Sequence, residues 1–159
     1  SVSLKREAEL ILVYICLIVV ARFTFFPFSK VDGKVQPLIF DIATAWPFRI
    51  NFIPFVNLLD YDSKRDLLLN LIGNTAMFIP TGIMTPLIYK NRNGFGKTVL
   101  TGFLISLTIE IMQLPFAVRA SDVDDLILNT LGCAIGYGIL TLCRFCKRIN
   151  RSTKRGYPC

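Results

Sequence analysis

Three runs of the chain set carboxylates and amides at helical spacing inside otherwise apolar sequence. The densest is RASDVDDLILN, residues 119–129, where Asp122, Asp125 and Asn129 fall three and four residues apart. A second sets Asp66, Asn70 and Asn74 at steps of four, and a third puts Glu110 three residues before Gln113. Such steps stack side chains on one face of a helix. Paired carboxylates can divide acid and base duties when their surroundings differ. Glu110, Asp122 and Asp125 are therefore the candidate catalytic groups. Asp122 and Asp125 share a face and could hold Mg²⁺ together with water, as phosphate chemistry often requires. Arg119 could grip a phosphate oxygen, and Asn74, Asn129 and Gln113 could orient a head group, with Asn70 behind them.

Each group also has a plainer duty available. Ser121 with Asp124 three residues on makes a capping-box-like start for a helix. Arg119 can pair with Glu110 or a neighbouring aspartate. Asn70 and Asn74 can be interhelical hydrogen-bond glue, and Gly132-x-x-x-Gly136 lets another helix approach closely. The plainer reading suits Asp124 and the glycines. For Glu110, Asp122, Asp125 and Asn129 the functional reading is preferred, because a helix cap needs no partner on a second helix.

Other chemistries fall away. Histidine is absent, which removes Ser-His-Asp triads, Cys-His dyads and histidine-ligated metals. Cys143 and Cys146 form a CxxC, but there is no second pair to complete a zinc site. The net charge of +7 raises the question of nucleic acid, and its placement answers it. Lys5 and Arg6 precede the first apolar block; Lys90, Arg92 and Lys97 separate the second from the third. Arg144, Lys147, Arg148, Arg151, Lys154 and Arg155 follow the fourth. That is a membrane pattern, not a nucleic-acid surface.

The elements that must position these groups are membrane spans. Mean hydropathy is +0.53 and 53% of residues are hydrophobic, too many for one water-facing shell to cover. Residues 67–89 and 126–143 carry no charge, and about 18 such residues suffice for a span. Residues 10–28 and 98–118 are each interrupted once, by Arg22 and Glu110. No small-residue cleavage site follows the first block, so it reads as a span rather than a signal peptide. The expected fold is an all-α integral membrane protein, a bundle of four transmembrane helices near 7–28, 64–89, 97–118 and 122–146. A basic tail occupies 150–159. In the long first connection, DGK at 32–34 reads as a turn. Residues 39–46 and 52–59 are apolar enough to lie in the interface, with Trp46 as an anchor.

Charge asymmetry predicts orientation. The eight aspartates lie in the connections between helices 1 and 2 and helices 3 and 4, or at the helix starts they lead into. The positive-inside rule then puts both termini in the cytoplasm, the aspartates outside, and the basic tail against anionic lipid. At 1.5 Å per residue, Asn70 and Asn74 lie roughly 6 and 12 Å below Asp66, Asn129 about 6 Å below Asp125, and Glu110 about 13 Å below Arg119. Polar stripes from three helices thus share one slab of the membrane, and an outward-facing polar pocket is the economical solution.

The same residues resemble the VanZ-like family of bacterial membrane proteins. The resemblance lies in NLIGNTAMFIPTG (70–82), EIMQ (110–113), RASDVDDLILNTLGCAIG (119–136) and NFIPF (51–55). It covers most of residues 51–137, in order. It implies a place in the bacterial plasma membrane and a role in resistance to glycopeptide antibiotics, notably teicoplanin. One proposal for the family relates it to enzymes that act on phosphate-containing lipid head groups.

Three functions are compatible with these residues. The leading one is an enzyme acting on phosphate-containing lipid or lipid-linked cell-wall-precursor head groups. The second is a non-catalytic binder of lipid precursor, antibiotic or partner protein, with an oligomer compatible with either. A transporter is disfavoured by the lack of internal repeats and of polarity in the inner half.

Overall fold

The computed structural model describes residues 4–25, 30–31, 34–35, 40–41, 43, 50–56, 63–89, 94–116 and 121–155. Four helices carry it: α1 (Leu4–Phe25), α2 (Lys64–Ile88), α3 (Phe95–Gln113) and α4 (Val123–Arg155). Three are long and apolar enough to cross a membrane: α2, α3 and residues 123–152 of α4. The apolar part of α1 is the shorter stretch Leu10–Ala21. Two small sheets complete the described structure. Strands β1 (Lys30–Val31) and β2 (Lys34–Val35) pair antiparallel on either side of the expected turn. Strands β3 (Ile50–Asn51) and β4 (Ser121–Asp122) pair in parallel.

The bundle is organised inside out. The buried residues of α3 are Thr98, Gly102, Ser106, Glu110 and Gln113, all small or polar, at steps of three and four. Its large apolar side chains, Leu100, Phe103, Leu104, Ile111 and Met112, are exposed. A water-soluble helix would reverse that arrangement, whereas lipid gives no reason to bury leucine and leaves close backbone approach and hydrogen bonding to hold helices together. Contact between α2 and α4 depends on glycine in this way. A Cβ at Gly132 would overlap the Thr75 carbonyl, one at Gly136 the Ile79 carbonyl, and one at Gly82 the Cys133 carbonyl.

Helix ends differ from the expectation in three places. Helix α3 stops at Gln113 instead of near residue 118, because Pro115 cannot donate a helical hydrogen bond and disfavours helix in the residue before it. The chain turns there, with Leu114 N–H on Ile111 O (3.3 Å) and Phe116 N–H on Gln113 O (3.0 Å). Pro115 O accepts from Asp41 N–H at 3.0 Å, and Phe40 packs edge-on against Phe116. Glu110 therefore lies in the last turn of its helix, and the 1.5 Å rise does not carry on toward Arg119. Helix α4 continues to Arg155, past the expected end and through much of the basic tail. Helix α1 is already formed at Leu4, three residues before its expected start, and residues 26–28 of its expected end lie outside the described residues. Pro80 and Pro86 both lie inside α2, which runs on to Ile88.

Of the expected interfacial segments, Phe40, Phe52, Ile53, Phe55 and Val56 are exposed. Trp46 and most of residues 39–49 lie outside the described residues.

Candidate functional site

The turn after α3 and the strand pairing of β3 with β4 bring four segments to one end of the bundle. Glu110 comes from the last turn of α3, Asn70 and Asn74 from the first turns of α2, and Asp122 to Asn129 from the start of α4. Residues 50–56 close the group from the side. Parallel pairing sets Ile50 opposite Ser121 and Asn51 opposite Asp122.

Glu110 is buried, 4% exposed, and its Oε2 accepts the Asp122 N–H at 3.1 Å. The Ser121 side chain is a second hydrogen-bond partner of this carboxyl. The free N–H groups and dipole at a helix start favour an anion, so Glu110 stabilises the entry to α4 whatever else it does. Asp122 Oδ1 accepts from the Asp124 N–H (3.0 Å) and from Asn51 Nδ2 (3.3 Å). Asp125 Oδ1 accepts from Asn74 Nδ2, which also reaches Asn70 Oδ1 at 3.4 Å. Asn129 lies deeper and donates from Nδ2 to Ser106 Oγ at 2.9 Å. Gln113 is buried at the end of α3.

The capping expectation needs correction. Asp122, not Ser121, caps α4, because it sits one residue before the first helical position and its side chain reaches the second. Ser121 is buried and spent on β-pairing and Glu110. Asp124 does not return to the cap either. Its Oδ1 accepts the Phe55 N–H at 2.7 Å, a residue held at φ 68, and its Oδ2 is buried with no partner among the described residues. A bulky residue in the left-handed region is strained, and this bond is what the structure offers to hold it. Asn51 braces the same segment, since its Oδ1 accepts the Ile53 N–H at 3.1 Å.

Glu110, Asp122, Asp125, Asn70, Asn74 and Asn129 are thus brought into one polar cluster across α2, α3 and α4. Arg119 lies outside the described residues. Among the described residues no three of His, Cys, Asp and Glu are placed to hold a metal ion. Asn70 and Asn74 line a cavity of about 430 Å³ between α1 and α2.

Sequence reasoning gave no site role to Asn51 and Phe55, quoted only for the resemblance, or to Ser106, Thr98 and Cys133. Cys133 and Thr98 extend the buried polar contacts inward, with Sγ 3.4 Å from Thr98 O. The signal for Ser106 and Thr98 was present: they precede Glu110 on its own face at steps of four. Nothing local marks Asn51 as a partner of Asp122, 71 residues away.

A family model described as VanZ/LLP1 matches residues 11–144. Protein VanZ of Enterococcus faecium is 38% identical over 72 residues, a match covering 43% of this chain and 44% of that protein. The chain thus matches less than half the length of that relative. No solved structure matches.

Proposed function

The chain belongs to the VanZ/LLP1 family, and on that premise we propose a bacterial plasma-membrane protein that handles phosphate-bearing lipid head groups and contributes to glycopeptide resistance. In this reading α1 is a fourth span, both termini are cytoplasmic, and the carboxylate cluster faces outward. The observation that carries it is the convergence of Glu110, Asp122 and Asp125 from two apolar helices, with the Asn74 amide from a third. Carboxylates packed between the ends of apolar helices, with Glu110 only 4% exposed, are costly and are kept where they are used. Glu110 and Asp125 are the acid and base candidates. Asn74 and Asn129 are the amides that would orient a head group, with Gln113 and Arg119 completing the set.

A second reading, a non-catalytic binder of lipid precursor, antibiotic or partner protein, is favoured by a specific observation. Asp122, Asp124, Asp125 and Asn74 are each hydrogen-bonded to other protein groups. Reconstitution separates the two. Purified protein in vesicles is incubated with labelled phospholipid and polyprenyl-phosphate substrates, with and without Mg²⁺. The enzyme reading expects product that Asp125→Asn abolishes; saturable binding without product under any condition selects the binder.

Orientation has its own test. In a cysteine-free background, Lys64→Cys and Lys97→Cys place exposed thiols at opposite ends of the bundle. An impermeant maleimide applied to whole cells should modify the first and spare the second. The reverse pattern would turn the cluster inward and remove the envelope reading.

A further inference from the structure

The cavity between α1 and α2 is lined by Val19 on one side and by Leu69, Asn70, Gly73, Asn74 and Met77 on the other. Its walls are apolar except for the two amides, and hydrogen bonding fixes which way those amides point. A carboxylate can only accept, so Asp125 draws the Asn74 NH₂ toward itself. The second Asn74 N–H goes to Asn70 Oδ1, at 3.4 Å. Both donors of Asn74 are then used, and the acceptor of Asn70 is taken. What Asn70 has left is its NH₂ group, with no acceptor among the described residues. Asp125 thus imposes a polarity on the chain of amides that ends in donors on the cavity wall.

Gly73 has a different role from the glycines of the α2–α4 contact. A Cβ at Gly82, Gly132 or Gly136 would meet backbone, whereas one at Gly73 would meet nothing within 4 Å. It faces empty space and keeps the cavity wide. An apolar cavity with a donor at its wall fits an amphiphile that brings oxygen acceptors down among hydrocarbon. Charge narrows the choice. Asp66, exposed one turn above Asn70 on the same face, and Asp125 behind Asn74 disfavour an anionic phosphate at this level. Neutral acceptors just beneath the charged layer suit it better. Asn70 lies about 6 Å below Asp66 along the helix, a level that matches acyl-ester carbonyls.

We propose that the α1–α2 cavity is a binding site for the acyl-ester region of a diacyl glycerolipid, its ester carbonyl oxygens accepting from Asn70 and its first methylenes lying along Val19, Leu69 and Met77. The head group of such a lipid stays outside the cavity, in the layer above it, and the lipid enters sideways from the bilayer. This inference rests on the membrane placement proposed above but not on turnover.

The test compares two lipids with the same phosphoglycerol head group and chains, one ester-linked and one ether-linked, by native mass spectrometry of the detergent-purified chain. The ester lipid should bind about three- to tenfold more tightly, the range one hydrogen bond supplies. Asn70→Leu should erase that difference, and Gly73→Leu should abolish binding of both lipids while circular dichroism shows an unchanged fold. Equal binding of ester and ether lipids by the native chain would overturn the proposal. So would displacement of the diacyl lipid by equimolar polyprenyl phosphate, or a dimer of the chain that Gly73→Leu dissociates. Ester preference without turnover would leave this site standing and remove only the catalytic reading.

Discussion

Replacing Gly132 with leucine should lower the stability of the bundle by about 3 kcal/mol or more, the upper part of the range for overpacked cores. The Cβ alone overlaps the Thr75 carbonyl and comes within 3.1 Å of the Phe78 Cβ. A flexible side chain could move aside, but a carbonyl on a continuous helix cannot. α2 and α4 would have to separate along their whole contact, taking with them the bond from Asn74 to Asp125. Gly138 is the matched control, since a Cβ there meets nothing within 4 Å. Thermal unfolding in detergent should show a clearly lower midpoint for Gly132→Leu and little change for Gly138→Leu. Equal midpoints would mean that the α2–α4 contact does not hold the bundle.

Replacing Glu110 with glutamine should have the opposite profile, function lost with the fold kept. The glutamine carbonyl oxygen can still accept the Asp122 N–H, and the change removes a like charge near Asp122 and Asp125. Stability should therefore stay within about 1 kcal/mol of the native chain. Glu110→Leu takes the acceptor away from both the part-buried Asp122 N–H and the Ser121 side chain, at a cost of about 1–3 kcal/mol for each group left without a partner. A purely structural Glu110 would be satisfied by glutamine and harmed by leucine. A functional one is silenced by both, and that difference makes the glutamine variant the informative one.

The helices and the polar face of each were legible because local spacing carries that information. Steps of three and four put Asp122, Asp125 and Asn129 together, and charge-free runs of about 18 residues or more, enough for a span, marked α2 and α4. What spacing cannot carry is pairing over distance. Asn51 with Asp122 and Phe55 with Asp124 join segments whose separation in sequence leaves no periodic trace. The end of α3 was readable from Pro115, yet the apolar residues beyond it, Phe116 to Val118, argued for continuation. Misjudging that end also misplaced Glu110, which lies beside the start of α4 and not deep beneath it. The capping error has a similar origin. Ser121 and Asp124 match a local pattern, but β3 and Phe55 claim them from outside it. Among the deeper residues, Ser106 was overlooked because a small hydroxyl in an apolar run looks neutral until Asn129 is seen to donate to it.

If the cluster around Glu110 acts on lipid-borne phosphate head groups and does not merely hold helices together, turnover depends on the Glu110 carboxyl. Turnover in vesicles tests it most directly, comparing native chain with Glu110→Gln protein shown by circular dichroism and thermal midpoint to be equally folded. Labelled product is expected from the native chain and at least about a hundredfold less from the variant, the scale of a lost acid–base group. Product formed equally by both would contradict it and leave Glu110 as the acceptor that starts α4.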